Sequence, residues 1–282
     1  MIKGLKLRKN SRPVSRRIKA GIAIGVLLLL IAGGIAGWYF FAYEPAQQRD
    51  EIKRREAQQL ANDISTVDKF YLSNLSGGSI SKFTTLAAEI SKSQRILSDF
   101  NYVNEVYTCD AKNCSFSYQL KKGSVLTLAQ KIFFDEVYTA SFSDTSIDFT
   151  GIKSGLDDNP ILSAYKSKKD IYPPSCGDVL NYLYSYNSVS NPREIVKIVS
   201  PPGSAVQAIE NKIAAKGRGK NYGINVLSWE MEIPKQSKNY MALLYTASLL
   251  ERQAFRDAFI IQKIDSVKDN KITGVMVCKT GN

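Results

Sequence analysis

Residues 20–43, AGIAIGVLLLLIAGGIAGWYFFAY, form an uncharged apolar run. Helical residues rise about 1.5 Å each, so the run covers about 36 Å, enough for a hydrocarbon core of about 30 Å. It is therefore predicted to be a transmembrane helix. Residues 44–75 are polar and rich in Gln, Lys, Arg and Glu, but Ala57, Leu60, Ile64, Val67 and Tyr71 recur at alternating spacings of four and three. That stripe predicts an amphipathic helix. Two roles stand open for it: a helix lying on its own domain, or a stalk with coiled-coil character that pairs with a partner helix through those five residues. About thirty such residues would reach about 45 Å from the bilayer.

Gly77 and Gly78 break the helical pattern, and Phe83, Leu86, Ala87, Ile90 and Leu97 then share one helical face. Residues 102–109 are rich in β-formers. Cys114, Phe116, Tyr118 and Leu120 alternate with Ser115, Ser117, Gln119 and Lys121, as in a half-buried strand. Residues 132–140 and 145–152 look like a further strand pair. Residues 155–191 are less regular, with turn chemistry at Asp157, Asp158, Asn159 and Pro160 and at Pro173 and Pro174. A short helix is expected after Cys176, carried by Val179, Leu180 and Leu183, and a strand at 196–200. Ser204 with Gln207 three residues on reads as a capping box, and Gly217 suits the left-handed residue that ends the helix. Leu227, Trp229, Met231 and Ile233 alternate in a strand, residues 240–254 form a strongly apolar helix, and 259–264 pairs with 271–278 in a closing hairpin.

The expected class is α+β: a transmembrane helix, an amphipathic stalk, then helix–strand–strand units making ferredoxin-like α/β sandwich domains with antiparallel sheet. The divisions fall at 1–19 (basic tail), 20–43 (transmembrane helix), 44–75 (stalk), 76–155 (first α/β unit), 156–202 (irregular connection) and 203–282 (C-terminal ferredoxin-like unit).

Charge orients the chain. Residues 1–19 hold eight Lys or Arg and no acid. Such a tail resists translocation, so the N-terminus is expected in the cytoplasm and the rest outside. The formal charge of +12 is mostly this tail; beyond it, 30 basic residues face 26 acidic ones, which gives no nucleic-acid signal. A cleaved signal peptide would have a shorter apolar core and a small-residue cleavage site; here the run ends in Trp38, Tyr39, Phe40 and Phe41, an aromatic belt. Ser15-Arg16-Arg17 is followed by too long and apolar a run for a twin-arginine signal. A type IV prepilin would carry a Glu inside the run, and no acid precedes Glu44.

Histidine is absent, which excludes Ser-His-Asp and Cys-His nucleophiles and His-ligated metal sites. Cys109, Cys114, Cys176 and Cys278 all follow the apolar run, as expected of disulfides in an oxidising compartment. Alternating segments on both sides of Cys109 and Cys114 point to a stapled hairpin turn, which would leave Cys176 to pair with Cys278. A four-cysteine zinc site is the alternative. Other candidate chemistry is weak. The loop 216–220, Lys-Gly-Arg-Gly-Lys, lacks phosphate-loop spacing and follows a helix instead of preceding one. Glu230 and Glu232 share one strand face about 7 Å apart, too bland for a glycosidase pair. Asp157 and Asp158 read as turn residues, and two glycosylation-type sequons at Asn74 and Asn113 read as chance. No catalytic residue, metal or cofactor is expected.

Tail, apolar helix, stalk and paired helix–strand–strand units together resemble the PilO/GspM group of inner-membrane assembly proteins. Within it the chain is most similar to PilO-type proteins of type IVb pilus systems. The local match runs from Val103 to Cys109, resumes at Cys114–Tyr118 and Gly123, and includes the C-terminal phrases 259–265 and 271–277. Such proteins carry a C-x4-C hairpin followed by an aromatic strand. The resemblance implies a non-enzymatic, single-pass scaffold in the bacterial inner membrane with a periplasmic domain. It would link the platform of type IV pilus biogenesis or type II secretion to periplasmic partners, including the secretin, as a homo- or hetero-oligomer. A conjugation (type IV secretion) component or a membrane-anchored envelope enzyme is the alternative.

Overall fold

The computed structural model describes residues 16–39, 44–98, 102–123, 128–192, 194–199, 204–233, 241–268 and 270–279. Most of the basic tail and the end of the apolar run, residues 40–43, lie outside them. The chain divides into two compact units, residues 1–61 and 62–282.

The first unit holds helix α1 (Arg16–Trp38) and the start of α2 (Glu44–Asn74). The part of α1 whose side chains are described, residues 24–38, rises about 22 Å. Among the described residues no helix is long and apolar enough to cross a membrane. Helix α1 coincides with residues 20–38 of the expected transmembrane segment, whose residues 40–43 and side chains before Ile24 lie outside those described.

The second unit is α+β, and every ladder between its strands is antiparallel. In chain order it holds the end of α2, β1 (Gly78–Ser79), α3 (Ile80–Ser98), β2 (Tyr102–Asp110), β3 (Asn113–Leu120), β4 (Gln130–Phe133), β5 (Glu136–Thr139), β6 (Ser141–Phe142) and β7 (Ser146–Lys153). Then come α4 (Pro160–Lys166), α5 (Cys176–Val189), β8 (Lys197–Ile198), α6 (Ser204–Ala215), β9 (Ile224–Glu232), α7 (Ala242–Glu251), β10 (Phe259–Asp265) and β11 (Lys271–Lys279). One sheet runs β6-β7-β3-β2-β10-β11-β9-β8, with β1 also on β10.

Its middle is a seam: β10 pairs with β2 through only Lys263, Ile264 and Asp265, and with β1 through Ile260 and Ile261. The early hairpin β2–β3 and the late hairpin β10–β11 therefore meet edge to edge through their first strands. Helices α3 and α7 pack together on the sheet. The core draws on both, with Phe83, Leu86 and Ile90 from α3 and Leu243, Ala247 and Leu250 from α7 buried. Alternation set the strands: Phe116 and Tyr118 on β3, and Trp229 and Met231 on β9, are buried while their neighbours face outward or sit half-buried, and β9 is buried on both faces from Ile224 to Leu227.

Several local expectations change. Residues 132–140 and 145–152 do not form one hairpin. Phe134 and Asp135, at φ 48° and 62°, close a two-residue turn between β4 and β5, while β7 pairs with β3 instead. Positive φ at both central residues is the turn geometry that matches strand twist. Phe133 still reaches the main core, its ring 4.9 Å from Phe116 and 5.6 Å from Phe149. The connection 156–202 is more regular than its composition suggests. Asn159 caps α4 by accepting from the Leu162 N–H (2.9 Å), and its amide donates to the carbonyls of Leu75 (2.8 Å) and Gly77 (2.9 Å). At α6 the Gln207 amide donates to Asn225 Oδ1 on β9 (2.6 Å); the side chain of Ser204, its expected capping partner, lies outside those described. Gly217 does end that helix, at φ 63°.

All four cysteines are bonded, Cys109 to Cys114 and Cys176 to Cys278. The first staples the β2–β3 turn, where the two residues are also register partners. The second fastens the start of α5 to β11. Neither pair leaves a thiolate for zinc.

Candidate functional site

The last turns of α2 lie within the second unit, and there the chain gathers polar groups in an otherwise apolar place. Val67 and Tyr71 are buried, Tyr71 completely. The Tyr71 ring sits 5.0 Å from that of Tyr165, the last but one residue of α4, and 6.1 Å from that of Tyr222, which follows α6; Tyr165 and Tyr222 are 5.1 Å apart. Tilted and edge-on contacts at these separations suit the ring quadrupoles. Tyr165 donates its hydroxyl proton to Asp68 Oδ1 at 2.6 Å, and Lys212 of α6 pairs with Asp63 of α2 at 2.8 Å.

Glu210 lies under these rings. It occupies the buried stripe of α6, between Val206 and Ile213, and is 1% exposed. Its Oε1 accepts the Tyr222 N–H at 3.3 Å. Its Oε2 and the neighbouring Tyr71 hydroxyl are closed off from solvent, and neither has a hydrogen-bond partner beyond the Glu210–Tyr71 pair itself. Burial raises the Glu210 carboxyl above its ordinary range, against the opposing pull of Tyr71 and of the Tyr222 and Gly223 N–H groups. Burial likewise raises the Tyr71 and Tyr165 hydroxyls far above the usual tyrosine value, with Glu210 and Asp68 respectively adding to the effect.

A cavity of about 170 Å³ opens here, with Glu210, Asp68, Tyr165 and Tyr222 among its walls and Ile64, Val67 and Ile213 as its apolar side. Lys168, Arg218 and Lys220, all exposed, complete the lining. Lys220 pairs with Asp170 and lies 5.7 Å from the Tyr222 ring centre. The result is an aromatic cleft with Glu210 buried at its base and Asp68, Lys168, Arg218 and Lys220 exposed around it.

The residues singled out from sequence fall as follows. Ala57 is exposed and Leu60 half-buried in the first unit; Ile64, Val67 and Tyr71 belong to the second, where they wall or support the cleft. The stripe expected to meet a partner is thus turned into its own domain over its C-terminal half. Glu230 and Glu232 each have a lysine, Lys271 at 3.0 Å and Lys197 at 3.1 Å, so they do not act as a pair. Asp157 lies 3.4 Å from Lys82. Asp158 accepts from the Ser163 hydroxyl at 2.7 Å, which, ahead of the Asn159 N–H and nearby lysines, holds its carboxyl below the usual range. The glycine-rich loop 216–220 is the helix end and connector, and it also supplies the mouth of the cleft. Among the described residues no group of His, Cys, Asp or Glu gathers to hold a metal ion.

Glu210, Tyr165, Tyr222 and Asp68 were not singled out from sequence. They are scattered over 155 positions with no motif. One signal was present: Glu210 is four residues after Val206 and three before Ile213, an acid at a core spacing. No family model matches the chain, and no curated protein or solved structure matches it.

Proposed function

We propose that this chain is a non-enzymatic, membrane-anchored scaffold of PilO type. On this reading it sits in a bacterial inner membrane, with its N-terminus in the cytoplasm and the second unit in the periplasm, and joins a pilus-biogenesis or type II secretion platform to periplasmic partners. One observation carries the reading. Helix α1 presents Ile24, Val26, Leu27, Leu28, Leu29, Leu30 and Ile31 in near-unbroken succession, each at least 50% exposed. A helix apolar on every side is not stable in water and calls for an apolar solvent. The eight cations of residues 1–19, ahead of its apolar run, then orient it. The two disulfides agree with an oxidising compartment.

The repeated helix–strand–strand unit is what supports a ferredoxin-like assignment. Since β2 and β10 join the units, the likeness lies in the units, not in the order of their connections. Partner contact is assigned to the N-terminal part of α2, where Ala57 is exposed.

The test combines topology with partnership. Protease added to spheroplasts should digest the second unit and spare an N-terminal stub. Mild crosslinking should capture inner-membrane partners, and Ala57→Glu with Leu60→Glu should remove that capture by about tenfold while the second unit keeps its disulfides and melting profile. Full protection from protease rules out the anchor. Undiminished capture by the double variant rules out the α2 contact.

A further inference from the structure

One end of the large sheet is open. Its last strand, β8, pairs with β9 alone among the described residues, through Lys197 and Ile198, and the Val199 N–H extends the ladder by donating to the Ser228 carbonyl at 2.8 Å. In an antiparallel ladder, residues that exchange bonds alternate with residues whose backbone groups point the other way. Val199 is a bonded residue, so Ile198 turns its N–H and C=O away from β9. Val196, two residues earlier, does the same, and a side chain closes it. The Asn187 carboxamide of α5 accepts the Val196 N–H at 3.0 Å and donates to its C=O at 2.8 Å, as a neighbouring strand would. Ile198 has no such counterpart among the described residues.

A groove runs along this edge. Leu180, Leu183, Tyr184 and Asn187 of α5 line a cavity of about 280 Å³ together with Val196 and Ile198. That is room for about nine water-sized groups at about 30 Å³ each, enough for a leucine or phenylalanine side chain. Leu183 and Val196 are buried at its base, whereas Tyr184 is 73% exposed at its rim. Side chains alternate along the edge: Val196 and Ile198 face the core, and Lys197 and the exposed Val199 face the other way. Lys197 is held there by Glu232 at 3.1 Å.

We propose that this edge and groove take up one extended segment of a partner protein, which adds to β8 in the antiparallel sense of β9 and β11. One residue of the segment bonds Ile198 through its own N–H and C=O and places a large apolar side chain between Leu180, Leu183 and Tyr184. Its neighbours point to the opposite face. The residue after it stands opposite Lys197 and is an acid; the residue before it stands opposite Val199 and is β-branched. Main-chain bonds then supply affinity, and the alternate side chains supply specificity. A short edge strand that carries a lysine resists indiscriminate pairing, and the acid is what admits this segment. A second copy of the chain does not meet these demands. Its Ile198 would have to fill the cavity, and that side chain is packed against its own core. The surface is separate from the α2 contact and does not depend on the membrane assignment.

Fluorescence anisotropy with the full-length chain in nanodiscs tests this, using a labelled Thr-Val-Leu-Glu-Thr peptide with blocked ends as the probe. Binding should be saturable. Methylating the leucine nitrogen removes the bond to the Ile198 carbonyl and should weaken binding about tenfold or more. Methylating the valine nitrogen, which points away from β8, should change it by less than about twofold. Tyr184→Ala alters an exposed side chain, so melting should be unchanged while affinity falls about tenfold. Ile198→Pro removes an N–H that β9 does not use, which edge strands tolerate, and should abolish binding while β9 and β11 stay protected in hydrogen exchange. The proposal is overturned by an absence of saturable binding, by equal losses from the two methylations, or by unchanged affinity in Tyr184→Ala. A dimer of the chain that Ile198→Pro converts to monomer also overturns it, because a second copy would then hold the edge. None of these readings involves spheroplast protease or α2 crosslinking, so this inference and the scaffold reading can each fail alone.

Discussion

Glu210 and Asp265 are both buried carboxyls, and they respond to pH with opposite signs. Asp265 is 6% exposed; Lys263 Nζ at 2.6 Å is the main reason its carboxyl titrates below the ordinary 3.8, with the Lys268 and Val267 N–H groups adding to it. Its contribution to stability is present above the unfolded value and is lost as pH falls through the lower folded value. Glu210 is the reverse. Burial raises its folded value above the ordinary 4.5, so the native state holds that proton longer than the unfolded chain does. Stability from this group is complete below the unfolded value and declines as pH rises through the folded one. The groups facing it, Tyr71 from α2, Tyr165 from α4 and Tyr222 after α6, are neutral across that window, and Lys220 at the mouth, whose value Asp170 raises, stays charged. Chemical denaturation from pH 3 to 8 should therefore show a decline above about pH 4.5 that is absent in Glu210→Gln. Asp265→Asn should leave that decline intact and flatten only the acid limb. A wild-type curve that Glu210→Gln reproduces at every pH would show that the carboxyl is not desolvated.

At the scale of elements, close approach of backbones is more demanding than side-chain choice. Gly274 on β11 stands opposite Ile261 of β10, and a Cβ placed on it would come within 1.9 Å of the Ile260 carbonyl oxygen. Backbone cannot yield as a flexible side chain can, so Gly274→Ala is expected to destabilise by about 3 kcal/mol, the upper part of the range for overpacking. Gly151, with nothing within 4 Å, tests the other cause of glycine preference: its φ of 72° should make Gly151→Ala cost only about 1 kcal/mol. Equal midpoint shifts in urea for the two variants would refute the steric account. These elements also show what a one-dimensional pattern conveys. Period-two alternation at Cys114–Leu120 and Leu227–Ile233 was sufficient to place β3 and β9, and the apolar spacing of Phe83, Leu86 and Ile90 placed α3, because each element buries one face against a common core. The partner of β7 was not legible, since the turn at Phe134 and Asp135 uses residues without the usual asparagine–glycine signature. The cleft was hidden for a different reason. Its members come from α2, α4, α6 and a loop, and only tertiary packing brings Tyr71, Tyr165 and Tyr222 into contact.

Across the whole second unit, sheet and disulfides share the task of holding distant segments. The seam at β2–β10 rests on three paired residues, so the two halves of the sheet are joined less by ladder hydrogen bonds than by the α3–α7 layer and the common core. The Cys109–Cys114 bond does not reinforce that join, because it closes a turn already held by β2–β3 pairing. Cys176–Cys278 is different. Its residues are 102 apart, and it fastens α5 to the last strand, enclosing α6, β9, α7 and β10. By loop-closure entropy the long loop contributes about 4.7 kcal/mol and the short one about 2 kcal/mol. Cys176→Ser with Cys278→Ser should therefore lower the melting temperature of the second unit by about 10 °C or more, and Cys109→Ser with Cys114→Ser by about half as much. The same difference predicts where the chain can fold: protein made in a reducing compartment should lose protection of β11 in hydrogen exchange before it loses that of the β2–β3 hairpin. Equal melting shifts for the two pairs would mean that the long bond adds nothing beyond the packing of α5 on β11, and that the sheet's C-terminal half is held by its core alone.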